Sequence, residues 1–190
     1  MITKINAAER QLNTAIRLFF ENVDHASSYT LAIASREITD DILMKQSDEI
    51  FRKELARLGD PMKVRIPYRE RLRDLIKPEY HKDAVKLFNK RQNFLKHADQ
   101  DPVGEMDDLS ANQLASVILF AVSNFHLLTN RVTPEMFAFL RWFGVAEPHL
   151  VRLDDGKLSK AILEFKQTCP GDPYDSAAFE LVNRSLTGIR

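Results

Sequence analysis

Apolar residues recur every three or four positions along most of this chain, and no segment sustains an alternation of two. In INAAERQLNTAIRLFF, residues 5–20, Ala8, Leu12, Ala15, Ile16 and Phe19 form one stripe of a helical wheel, with Arg10, Asn13 and Arg17 opposite. Period 3.6 commits a segment to burying one helical face, whereas a half-buried strand needs period 2. Only six glycines interrupt 190 residues, and Ala, Leu, Glu, Lys and Arg fill the periodic segments, which favours helix. The chain is therefore expected to be all-α, a single helical bundle of about eight or nine helices spanning 1–190. Residues 1–130 should form the core bundle, with the helices of 131–190 packed on it.

Start and stop signals divide the helices. Asn6 can cap the first, with Glu9 at its third position as a capping-box variant. A second helix is expected over 25–45, with Leu31, Ala34, Ile38 and Ile42 on one side and Tyr29, Ile33 and Met44 on another. Glu37 and Asp40 share that second side, with Asp41 at its margin, and carboxylates so placed need a cation or solvent. Ser47 as cap and Gly59 as terminator bound a third helix. Two prolines make 60–67 a connector, 68–77 is a short helix stopped by Pro78, and a longer helix follows over 78–98. An acidic loop at 99–108 precedes an apolar helix at 110–129. Thr133 caps the next, with Pro134 in its first turn, and KLSKAILEFKQT and DPYDSAAFELVNRSL supply the last two.

The N-terminus lacks the long apolar run of a signal peptide. LASVILFAVSNFHLL, 114–128, is too short for a bilayer span and is expected to be a buried helix with His126 as a core histidine. The single cysteine, Cys169, excludes an internal disulfide and a Cys-rich metal site. It sits before Pro170 in a turn, without a neighbouring cation to lower its pKa, and is expected to be inert. A cytoplasmic protein, off membranes, is therefore expected. Net charge is zero, but Lys63–Lys96 carries a local +7 and His97–Ser110 holds five carboxylates and no Lys or Arg. Such runs are expected to be solvated helix faces that neutralise one another.

One stretch raises a chemical question: NKRQNFLKHADQDP, 89–102. With Ala84 at 0° on a wheel, Leu87, Phe88, Phe94, Leu95 and Ala98 gather on one face, and Arg91 falls among them at about 340°. Lys86, Lys90, Asn93 and His97 fall on the polar face, between about 180° and 240°. An arginine among hydrophobes needs a carboxylate, and Glu37 or Asp40 is the expected partner.

Arg91 and His97, with five residues between them, resemble the R-x(4-6)-H motif of the HEPN superfamily of helical domains, many of which are metal-independent ribonucleases. The resemblance implies that Arg91 stabilises charge on a scissile phosphate. His97 would act as general base or acid for attack by the ribose 2′-OH, and Asn93 would orient the histidine or hold phosphate. Lys86 and Lys90 are candidate phosphate contacts. In a regular helix Arg91 and His97 point about 120° apart, so convergence requires a break near His97 or a second subunit. AAERQLNTAIRLFF, NFLKHADQDP and TPEMFAFLRWF together are similar to the recurrent segments of a family of uncharacterised bacterial all-helical proteins. That resemblance implies no activity.

Other chemistry is poorly served. DQDPVGEMDDLS follows an EF-hand loop at Asp99, Asp101 and Gly104, but Val103 and Ser110 stand where side-chain oxygens are required. His97, Asp99 and Asp101 lack a second histidine at ligand spacing. GxSxG, Walker A and GxGxxG are absent. FAFLRWF, around Arg141 and Trp142, is expected to be core. The expectation is therefore a non-catalytic interaction or dimerisation module, without cofactor or metal, forming a homodimer because its helices carry more apolar faces than one bundle hides. The alternative is a HEPN-like ribonuclease or RNA-binding protein acting through Arg91, Asn93 and His97. A protein or RNA partner would follow accordingly.

Overall fold

The structure, a computed structural model, describes residues 1–60, 110–148, 156–169 and 171–187. Among them are six α-helices and no strand: α1 Lys4–Glu21, α2 His25–Leu58, α3 Ala111–Thr129, α4 Pro134–Ala146, α5 Lys157–Thr168 and α6 Ser176–Thr187. The all-α expectation holds. The two helices expected over 68–98 lie outside the described residues.

Helix α1 buries the stripe that its periodicity marks, with Ala8, Leu12, Ala15, Ile16 and Phe19 fully covered and Phe20 joining them. Its cap is Thr3 rather than Asn6: the Thr3 hydroxyl accepts the Asn6 backbone N–H at 3.1 Å. Thr3 is the first competent capping side chain upstream, and Lys4 and Ile5 carry no helix-breaking feature, so the helix starts one turn earlier. Asn22, in the left-handed region at φ 54°, ends it by donating its N–H to the carbonyls of Leu18 and Phe19. Asp24 then accepts the Ser27 N–H at 2.9 Å and holds the start of α2, at His25. Hydrogen bonds from Ser27 keep the Asp24 carboxyl below its ordinary value.

Helix α2 runs 34 residues without interruption, where a break at Ser47 was expected. Gln46 and Ser47 offer no glycine or proline to stop a helix, and Ser47 is buried inside it. Gly59, at φ 66°, is the terminator, its N–H bonding the Leu55 carbonyl at 2.8 Å. The buried face also differs from the expected one. Tyr29 and Ile33 are buried, but Leu31, Ala34, Ile38 and Ile42 are only half-buried and Met44 is exposed. The covered line is instead Ser28, Ala32, Ser35, Thr39, Leu43 and Ser47. Short hydroxyl side chains fit where backbones approach closely, and a hydroxyl can bond a backbone carbonyl. Ser28 donates to the Ala15 carbonyl at 2.7 Å. A wheel weighted by hydropathy does not see such a face.

By internal contacts the chain forms two compact units, Met1–Arg36 with Asp108–Arg190, and Glu37–Asp107, and the division falls within α2. In the first unit α1 packs on α3, α4 and α6, and α4 also meets α3, α5 and α6. Their common core is aromatic. Phe19 and Phe20 of α1, Phe139, Trp142 and Phe143 of α4 and Phe179 of α6 are all buried. Phe19 meets Trp142 edge-on at 5.0 Å between centroids, and Phe20 meets Phe179 edge-on at 5.5 Å. Burying each such ring contributes about 1.5–3 kcal/mol, and edge-to-face pairs add about 0.5–1.5 kcal/mol. Ala138, Phe139, Trp142 and Phe143 of FAFLRWF are thus core, while Phe137, Leu140 and Arg141 are half-buried, and Trp142 donates its indole N–H to the Pro173 carbonyl at 2.7 Å.

Thr133 caps α4 through the Met136 N–H, with Pro134 at its first position, both as expected. Gly144 lets α4 approach α5: a Cβ there would overlap the Ile162 side chain. Helix α5 matches KLSKAILEFKQT, Lys157–Thr168. Helix α6 begins at Ser176, because Asp172 first forms a turn, its carboxylate accepting the Tyr174 N–H and its carbonyl the Asp175 N–H. Helix α3 is 19 residues long and apolar enough to cross a bilayer by length and composition, so the shorter estimate from 114–128 is corrected. In the fold, its Leu114, Ala115, Ile118, Ala121, Val122 and Phe125 are covered by protein.

Candidate functional site

Arg91, Asn93, His97, Lys86 and Lys90 lie outside the described residues, as do Asp99, Asp101 and the EF-hand-like loop. Glu37 and Asp40, the expected partners of Arg91, are half-buried on α2, and Asp41 is exposed.

The described chemistry gathers at two junctions. The first joins α1 to the entry of α4. Arg17 forms an ion pair with Glu135, which is itself buried in the first turn of α4. Arg131 bonds Glu9 at 3.0 Å and lies over the Phe125 ring. The Thr133 hydroxyl donates to Asn13 Oδ1 at 2.8 Å while accepting the Met136 N–H. Glu9, Asn13 and Arg17 are spaced four apart, so they share one side of α1 and meet Arg131, Thr133 and Glu135 in order. Arg10, Asn13 and Arg17 read in the sequence as an outward face; two of the three are instead interhelical fasteners. The signal available was the alternation of polar residues in Arg131, Thr133 and Glu135 around the cap.

The second junction lies at the end of α4. Tyr174 donates its hydroxyl to Glu147 at 2.8 Å and stands edge-on to Trp142 at 5.2 Å. Burial, then the bond to Glu147, pushes the Tyr174 hydroxyl far above the ordinary tyrosine value. Cys169 ends α5, half-buried. Burial first, and then the charges of Asp172 and Asp175, raise its thiol. A thiol so placed stays protonated at neutral pH and is a weak nucleophile, in keeping with the inert role expected of it.

His126 is exposed, not a core residue, and its Nδ1 stands 3.4 Å from the Arg131 carbonyl. Phe125 and Val122 take the buried side of α3, which turns position 126 outward at the helix end. His25 stacks on Phe19 at 6.5 Å. Among the described residues, no group of three or more His, Cys, Asp or Glu is placed to hold a metal ion. A shallow groove of about 340 Å³ is lined by Ala26, Ser27, Thr30 and Leu31. Its Thr30 hydroxyl is engaged by the Ala26 carbonyl at 2.9 Å.

Compared with known protein families, with curated proteins and with solved structures, the chain matches none.

Proposed function

We propose that the chain is a non-catalytic helical interaction module that works as a cytoplasmic homodimer. The observation that carries this reading is where its polar side chains are spent. Arg17 with Glu135, Arg131 with Glu9, and Thr133 with Asn13 each hold α1 to the entry of α4. Side chains engaged in this way position helices against one another and leave no acid–base or nucleophilic pair poised for reaction among them. Light scattering on the eluate of a sizing column, over a wide range of concentration, tests the proposal. A mass rising to that of two chains is the expected result. A strict monomer at the highest concentration overturns it.

A second reading is favoured by the spacing of Arg91 and His97 in one helix-forming segment that also carries Lys86, Asn93 and Lys90. It takes the chain as a HEPN-like metal-independent ribonuclease. The 2′-OH would attack the adjacent phosphorus, His97 would move a proton, and the 5′-oxygen would leave, yielding a 2′,3′-cyclic phosphate. Arg91 would stabilise the phosphorane charge. Labelled structured RNA with EDTA present, offered to wild type and to His97→Ala, separates the two readings. Cleavage to cyclic phosphate ends by wild type alone establishes the ribonuclease and displaces the module. Cleavage by neither supports the module.

A further inference from the structure

We draw no further inference here: the strongest candidate, the shallow groove that Ala26, Ser27, Thr30 and Leu31 form on the outer side of the first turns of α2, is an unpartnered helix face, and nothing in the structure shows what covers it.

Discussion

Arg17 and Glu135 form an ion pair whose two ends are unequally covered: the Glu135 side chain is 10% exposed and that of Arg17 is 40%. The carboxylate has given up most of its water, while the guanidinium keeps much of its own. Removing either partner therefore leaves different residues. Arg17→Met strands a covered carboxylate, whose remaining support is the positive end of α4. Glu135→Gln leaves a cation still reached by solvent. With the exposed side screened, we expect Arg17→Met to cost about 1–2 kcal/mol and Glu135→Gln about half of that. Urea denaturation of both single variants and the double variant checks the order; equal costs would show that the asymmetry carries no weight.

Gly144 sits against Ile162, and the space for a Cβ is occupied. Replacing a helical glycine by alanine ordinarily stabilises by about 1 kcal/mol. Here the added carbon overpacks a buried contact, which costs about 1–3 kcal/mol. Gly144→Ala is expected to destabilise wild type and to stabilise the Ile162→Ala background, where only the helix preference remains. The same sign in both backgrounds would refute the close approach of α4 and α5.

Trp142 is the single tryptophan of the chain and is fully buried. Its emission is expected to be blue-shifted and resistant to acrylamide, turning red and quenchable on unfolding. Trp142→Phe removes the donor to the Pro173 carbonyl. The lost bond and the lost volume together should cost about 2–3 kcal/mol. A variant melting with wild type would contradict this placement of the ring.

Tyr174 supplies a pH dependence. Its folded-state hydroxyl is raised above the ordinary tyrosine value by burial and by Glu147. The unfolded chain then releases this proton first, so the contribution is complete below about pH 10 and is lost as pH rises above it. Tyr174→Phe lacks that proton. Its denaturation midpoint should fall less steeply than that of wild type between mildly and strongly alkaline buffers. Parallel declines would remove Tyr174 from the account.

Helix was legible wherever one face is apolar and the end signals are strong. The stripe of α1, the Thr133–Pro134 start of α4, the Gly59 end of α2 and the bounds of α5 were all read from residue type alone. Reading failed where small polar residues are the packing face. In α2 the line from Ser28 to Ser47 is covered although four of its six residues carry hydroxyls, and Ser47, an apparent cap, lies within the helix. A cap and a close helix contact both call for a short polar side chain, and spacing does not distinguish them. The motif around Arg91 and His97 falls outside the described residues.

By itself the sequence determined the helical class of the described segments, because helix preference and the 3.6 period act within one turn. It also determined that α4 would supply aromatic core residues, because no polar surface accommodates so dense a run. Only the tertiary structure decided the partners. That Arg17 meets Glu135, that Trp142 bonds Pro173 and that Asn183 bonds the Phe20 carbonyl depend on chain segments far apart in sequence. Such contacts form only when burial of the aromatic core brings the helices together, and local preference carries no record of which polar groups will then face each other.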